Sequence, residues 1–136
     1  MPPPPLPATD VLVTFLGAPH ADDSTTSVLR LVQGMLGRGG RVQVWACGYA
    51  TMLTQRSLGP CKPRNVAAWA TDYPSTAALV DGLLDAYPER LFWYGCEFCS
   101  EERGATDHLP RVVLRSPAWY WENVAAAGKT LMIGVI

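Results

Sequence analysis

The stretch DVLVTFLGAPHADDSTTSVLRLVQGMLGRGGRVQVWA, residues 10–46, decides the fold class. Its first part, residues 10–16, is short, β-branched and apolar on both faces, which is typical of a buried strand. Residues 25–37 then follow a helical pattern, and residues 41–46 form a second β-rich run. The stretch therefore predicts a strand, a helix and a second strand that lies parallel to the first.

The helix in this stretch has one apolar face and recognisable ends. Ser24 or Thr25 can cap its start, and the glycine-rich segment at residues 37–40 ends it. The apolar positions recur at the spacing of one helical face, which should pack on the sheet. They are Val28, Leu29, Val32, Met35 and Leu36.

The rest of the chain repeats this alternation, with proline- and glycine-containing loops between the elements. After the second strand we predict a short helix near residues 49–57 and a loop at residues 58–65. Further helices are predicted at residues 75–86 and 116–128, and further strands at residues 90–94, 111–114 and 130–135. In the later of these helices, Ser116 is the expected N-cap and Gly128 the expected C-terminal signal.

Strand–helix alternation at this spacing predicts an α/β protein. We expect a three-layer α/β/α arrangement with a mainly parallel sheet of about five strands and right-handed crossovers. Residues 10–136 are predicted to form a single domain, and the proline-rich residues 1–9 a flexible lead. In such sheets ligands and chemistry sit at the carboxyl ends of the strands, so candidate residues are sought there.

Composition narrows the functional classes. The chain has 11 basic and 12 acidic residues and a net charge of −1, so it carries no basic field for nucleic acid. No run approaches the roughly 18 apolar residues of a membrane helix, and the N-terminus lacks the pattern of a signal peptide. We therefore expect a cytoplasmic protein with reduced thiols. Its four cysteines then point to metal, redox or nucleophilic chemistry more than to disulfides.

The segment LFWYGCEFCSEERG, residues 91–104, holds the main candidate site. It ends a strand and then begins a short helix at Cys96 or Glu97, which we expect to end at Gly104. Free N–H groups at a helix start stabilise a thiolate, so the pKa of Cys96 is expected to be lowered. Cys99 would lie one turn further along, either as a second reacting thiol or as part of the core.

Other kinds of site are less well supported by the sequence. A zinc site needs four ligands, and Cys96 with Cys99 supplies only two at motif spacing. The glycines form neither a dinucleotide-binding nor a phosphate-binding loop. We therefore predict no metal and no cofactor. His20, in the loop after the first strand, is a candidate base or donor, although a solvated loop histidine is the more common case.

The remaining cysteines have ambiguous roles. Cys47 ends the second strand and packs in the core on the simplest interpretation, and Cys61 lies in a proline-rich loop without a partner in the sequence. The predicted topology nevertheless brings His20, Cys47 and Cys96 towards the same edge of the sheet, because each follows a parallel strand.

Three pieces of the chain together resemble the DsrE/DsrF-like sulfur-transfer proteins. They are the strand–helix–strand stretch that continues to residue 50, the segment YGCEFCSEERG at residues 94–104, and SPAWYWENVAAAGKTLMIG at residues 116–134. The resemblance implies a DsrE-like cytoplasmic domain that forms trimers or hexamers, sometimes with paralogous subunits. It also implies that Cys96 carries sulfur as a persulfide. In the mechanism that we expect from this, Cys99 is a secondary thiol, and Arg103 either supports the anion, pairs with a carboxylate or is simply solvated at the end of the helix.

We therefore predict a sulfur-relay protein that takes sulfane sulfur onto Cys96 from a donor protein and passes it to an acceptor. The alternatives are an assembly subunit without chemistry and a redox protein that uses Cys96 and Cys99. Consecutive aromatic residues at 119–121 cannot all face one core, since they are about 100° apart around a helix. At least one should therefore be exposed or covered by a partner chain.

Overall fold

The computed structural model describes residues 5–20 and 23–134, and its sheet contains five strands in the order β4-β3-β2-β1-β5. Each neighbouring pair of strands is parallel. The strands are β1 (Thr9–Leu16), β2 (Val42–Ala46), β3 (Leu91–Cys96), β4 (Val113–Arg115) and β5 (Ala127–Gly134). The predicted α/β class and the parallel sheet are confirmed.

Within the described residues, four α-helices connect or follow the strands. The cap of the second is well defined, because Ser75 Oγ accepts a hydrogen bond from Ala78 N at 3.1 Å. The α-helices are α1 (Asp23–Gly37), α2 (Thr76–Ala86), α3 (Glu97–Glu102) and α4 (Tyr120–Ala125). Short 3₁₀ helices lie at Gly48–Thr54, Arg56–Leu58, Val66–Ala68 and Pro117–Trp119, the first two in place of the helix predicted near residues 49–57.

The side chains of the strands alternate between two faces of the sheet, and each face has its own cluster. On the α1/α2 face, Val13 and Phe15 of β1 pack with Trp93 and with the apolar sides of α1 and α2. On the α4 face, Leu12 packs with Trp45, Tyr94 and Cys96, and residues of α4 cover them in part. Because helices lie on both faces, the molecule has the three layers that were predicted.

The start of helix α1 and the start of strand β4 differ from the prediction. Helix α1 already includes Asp23, so Ser24 and Thr25 lie inside its first turn and are not its caps. Thr25 Oγ1 instead donates to Ala18 O at 3.1 Å and ties the turn to the loop after β1. Strand β4 covers only Val113–Arg115, because residues 111 and 112 lie in the turn before it.

The last helix ends earlier than predicted. Helix α4 stops at Ala125, and Gly128 lies inside β5 and is not a C-terminal cap. A Cβ atom at Gly128 would come within 3.1 Å of Asp10 O, so the glycine permits close approach of β5 to β1. Ser116 does cap the segment before α4, where its Oγ accepts from Ala118 N at 3.3 Å.

The N-terminal residues can be compared in part with the predicted flexible lead at residues 1–9. Residues 5–8 have no regular structure, yet Leu6 packs against the α4-face cluster, and β1 begins at Thr9. The rest of the predicted lead, at residues 1–4, and position 135 of the predicted last strand lie outside the described residues. Within the part of the chain that the structure describes, no helix is both long and apolar enough to cross a membrane.

Candidate thiol site

Three cysteines meet at the carboxyl ends of β2 and β3. Cys47 directly follows β2, Cys96 is the last residue of β3, and Cys99 lies in the first turn of α3. The sulfur atoms of Cys47 and Cys99 are 3.9 Å apart, which is within hydrogen-bonding distance for thiols. Cys96 belongs to the α4-face cluster, and the other two pack against it. We call Cys47, Cys96 and Cys99 the thiol cluster.

Cys96 does not have the environment that the sequence predicted. Its exposed fraction is 2%, and burial raises the pKa of its thiol to about 11. A hydrogen bond from the backbone N–H of Cys99 favours the thiolate but is outweighed by burial and by the two neighbouring thiols. The expected lowering of the Cys96 pKa is therefore wrong, because depth in the core dominates over the start of a six-residue helix.

Cys47 and Cys99 are the partly exposed members of the cluster. Burial raises the pKa of Cys47, and its contact with Cys99 raises it further. The backbone N–H of Gly48 and the charge of Arg103 act in the opposite direction and lower the Cys47 pKa in part. These two thiols are thus the ones that a molecule from solution can reach, and one of them has a cation nearby.

Arg103 lies against the thiol cluster. Its guanidinium group stacks 4.7 Å from the ring centre of Tyr49, and Nη1 donates to Cys99 O at 3.3 Å. The same nitrogen bonds Glu102 Oε2 at 3.1 Å in a pair whose carboxylate is mostly exposed, so the pair itself adds little stability. Arg103 is therefore held by Tyr49 and the α3 backbone, close enough to favour an anionic sulfur at Cys47.

His20 is not brought to the thiol cluster. It follows β1 at the same edge of the sheet, but its ring lies on the α1/α2 side, where Nε2 accepts from Thr76 N at 3.4 Å. It lines a cavity of about 610 Å³ between the starts of α1 and α2 that no cysteine lines. Burial, and to a lesser degree the charge of Lys62, lowers the His20 pKa. His20 therefore lies at the predicted edge of the sheet, but its ring is on the opposite face from the thiol cluster.

Cys61 is exposed and lies apart from the cluster, where its backbone bridges Pro74. Among the described residues, no group of three or more histidine, cysteine or acidic side chains is arranged to hold a metal ion. The sequence interpretation underrated Cys47, which it assigned to the core. The signal that could have identified it is its position directly after a parallel strand, on the edge where Cys96 was expected.

No family model and no curated protein matches the chain. A search of solved structures does find similar folds. The crystal structure of the ychN protein from E. coli superposes with a TM-score of 0.72 over 92% of this chain and 99% of that chain, at 16% sequence identity. At that identity the similarity establishes the fold, which is DsrE-like, and leaves the activity open.

Proposed function

We propose that the protein is a sulfur-relay protein that carries sulfane sulfur as a persulfide within the thiol cluster. The observation that carries the proposal is the contact of two partly exposed thiols, Cys47 and Cys99, at the carboxyl edge of a DsrE-like sheet with Arg103 beside them. A fold of this kind is consistent with a sulfur-relay family. The cation lies where it would stabilise an anionic persulfide.

Cys99 is the proposed first acceptor of the sulfur. Its thiolate attacks the terminal sulfur of a donor persulfide, the Cys99 S–S bond forms, and the donor leaves as a thiolate. Cys96 is unsuited to this step, because it is 2% exposed and largely protonated near neutral pH. Exchange with Cys99 could then move the sulfur onto Cys96, the buried position that the family resemblance assigns to the carrier.

The test is to incubate the protein with a cysteine desulfurase and cysteine and to measure the intact mass. The wild type should gain the mass of one sulfur atom. Cys99→Ser should abolish the gain, because the pKa of the remaining partly exposed thiol of the cluster, Cys47, is raised by burial and the exposed Cys61 lies outside the cluster. Cys61→Ser is the matched control, since it removes an exposed thiol outside the cluster. The role proposed for Cys99 would be contradicted if Cys99→Ser still gained the mass of one sulfur atom while Cys96→Ser gained none.

A second candidate function is thiol–disulfide exchange, and the 3.9 Å separation of the two sulfur atoms favours Cys47 with Cys99 as the couple. The sequence suggested Cys96 with Cys99 instead. A disulfide needs the sulfur atoms about 2 Å closer. Titration with oxidised and reduced dithiothreitol, followed by peptide mapping, would show a reversible Cys47–Cys99 disulfide. A stable persulfide without this couple would favour the carrier.

We also propose that the protein acts as a cytoplasmic homo-oligomer, a trimer or hexamer, or pairs with paralogues, and meets sulfur donor and acceptor proteins. Edge strand β5 exposes Leu131 and Met132, and Trp121 on the neighbouring helix is 74% exposed. Exposed aromatic and apolar side chains of this kind are enriched at interfaces. Light scattering at micromolar concentration tests this proposal, and a monomer would contradict it.

A further inference from the structure

His108 lies between two segments that each carry a thiol of the thiol cluster. One is the 3₁₀ helix Gly48–Thr54, which begins directly after Cys47, and the other is α3, whose first turn holds Cys99. At the start of these segments the two sulfur atoms are 3.9 Å apart. The contacts that hold the segments together further along therefore bear on how firmly the two thiols are kept in contact.

The His108 ring contacts both segments through its two nitrogen atoms. Nδ1 lies 2.9 Å from Thr54 Oγ1 at the end of the 3₁₀ helix, and Nε2 lies 3.3 Å from Ser100 Oγ in α3. The amide nitrogen of Gln55 lies 3.3 Å from Nδ1 and 3.4 Å from Nε2. Thr54 and Ser100 are almost fully buried, so a hydroxyl group that lost the imidazole would be left without water to replace it.

The loop after α3 is tied to both segments by its backbone. Ala105 N donates to Ser100 O at 2.8 Å at one end of the loop, and Leu109 N donates to Thr54 O at 3.0 Å at the other. His108 thus extends from a loop that is fixed at both ends. Its ring is placed between the two hydroxyl groups by the fold of the loop as well as by its own hydrogen bonds.

We propose that His108 is a positioning residue for the thiol cluster. By linking Thr54 to Ser100, it keeps α3 against the 3₁₀ helix. Cys99 precedes Ser100 in the chain, so the same link keeps its sulfur atom next to that of Cys47. Reactions between two fixed groups are sensitive to their separation, and a misplacement of about 1 Å can cost about a hundred-fold in rate. The relevance to sulfur transfer rests on the proposed function, whereas the contact of the two sulfur atoms does not.

Phenylarsine oxide is a suitable probe, because its trivalent arsenic binds two neighbouring thiols with release of water and needs no sulfur donor. In a Cys61→Ala/Cys96→Ala background, Cys47 and Cys99 are the only thiols. In this background Thr54→Val removes the hydroxyl group and keeps the shape, and it should weaken phenylarsine oxide binding about three- to ten-fold. Thr54→Ser keeps the hydroxyl group and should leave the affinity within about two-fold of the background.

His108→Gln tests the same link from the other side. Its amide lies near the position of Nε2 and loses the contact of Nδ1, so it should weaken binding as much as Thr54→Val does. The double variant should lose little more than either single variant, because both remove one shared contact. Leu36→Ala is the control for a general loss of stability, since it removes a fully buried side chain of the α1/α2-face cluster. It should leave the affinity of the folded protein unchanged.

Disulfide mapping provides a second measurement with all four cysteines present. Oxidation by diamide, which takes up the two hydrogens of a thiol pair, can join Cys99 to Cys47 in the other segment or to Cys96 at the start of α3. Thr54→Val should lower the yield of Cys47–Cys99 relative to Cys96–Cys99, because only the first pair depends on how the two segments are held.

Three results would overturn the proposal. They are a wild type that binds no phenylarsine oxide, equal weakening by Thr54→Ser and Thr54→Val, and equal weakening by Leu36→Ala and Thr54→Val. A protein that follows the expected pattern with phenylarsine oxide but gains no sulfur from the desulfurase would refute the proposed function and leave the positioning role of His108 intact.

Discussion

The two faces of the sheet differ in what covers them. On the α1/α2 face the buried side chains are mostly aliphatic and come from two helices, the sheet and the segment after β2. On the α4 face the cluster is smaller and contains thiols, aromatic rings and a buried pair of amides. Tyr94 of this second cluster also lines a cavity of about 440 Å³ together with Arg115, Trp119 and residues 5–7. The α1/α2 face therefore supplies most of the buried apolar core, and the α4 face supplies the reactive groups.

The largest expected effect is on the α1/α2 face. Leu36 is fully buried there, and Leu36→Ala should lower the free energy of unfolding by about 2–5 kcal/mol because it leaves a cavity. Val124→Ala is the matched change on the α4 face, where the side chain is only partly buried, and it should cost about 1 kcal/mol or less. Urea unfolding measures both, and equal losses would contradict the division of roles.

The next effect concerns the amide pair that holds α4 on the sheet. Asn123 Nδ2 donates to Gln43 Oε1 at 2.9 Å, and Gln43 Nε2 donates to Asn123 O at 2.8 Å, with both side chains almost fully buried. Asn123→Ala leaves the Gln43 oxygen without that donor and should cost about 1–3 kcal/mol. Glu122→Ala, exposed on the same helix, is the control and should change stability little. Similar losses for the two variants would show that the amide pair is not what anchors α4.

Periodicity in the sequence was enough to predict the sheet, because short apolar runs separated by helical patterns have few other solutions. It failed at Gly128, because the sequence does not distinguish a glycine that ends a helix from a glycine that lets two strands approach closely. It also failed at Cys96. The start of α3 was predicted within a residue, but the burial that raises the thiol pKa depends on Trp45 and Tyr94 packing around it.

The contact between Cys47 and Cys99 was missed for a related reason. The two residues are 52 positions apart, and their meeting depends on the pairing of β2 with β3 and on the direction of α3. Spacing within a segment can predict a C-x-x-C pair, whereas a contact between segments requires the register of the sheet. The same holds for Arg115, which lines a cavity together with residues 5–7 although they are more than 100 positions away in the sequence.

The two faces should also lose stability at opposite ends of the pH scale. Unfolding at alkaline pH tests the α4 face. The pKa of Cys96 is raised by burial from its ordinary value of 9.0 to about 11. Between these values the unfolded chain loses its proton before the folded protein does, so stability falls as pH rises. Cys96→Ala should remove this part of the decline in the free energy of unfolding, which urea unfolding measures between about pH 9 and pH 11. Cys61→Ala, on an exposed thiol, should leave it unchanged.

The acid end tests the α1/α2 face, where His108 secures the loop after α3. Its Nδ1 lies 2.9 Å from Thr54 Oγ1, its Nε2 lies 3.3 Å from Ser100 Oγ, and the next residue, Leu109, packs against the α1/α2-face cluster. Burial lowers the His108 pKa below the ordinary value of 6.5, although the Ala105 backbone and the Asp107 charge oppose this.

Because the folded-state pKa of His108 is the lower one, the unfolded chain takes up the proton first as pH falls below about 6.5. The free energy of unfolding should therefore decrease as the pH falls below about 6.5. His108→Gln should make this decrease less steep, and it keeps a hydrogen-bonding side chain. The pKa of His20 is lowered as well, so His20→Gln should remove a separate part of the slope. Urea unfolding between about pH 7.5 and pH 5 measures both variants. If His108→Gln loses stability with falling pH as steeply as the wild type does, the loop tolerates a charged imidazole. The edge of the α1/α2 face would then be less strictly apolar than its packing indicates.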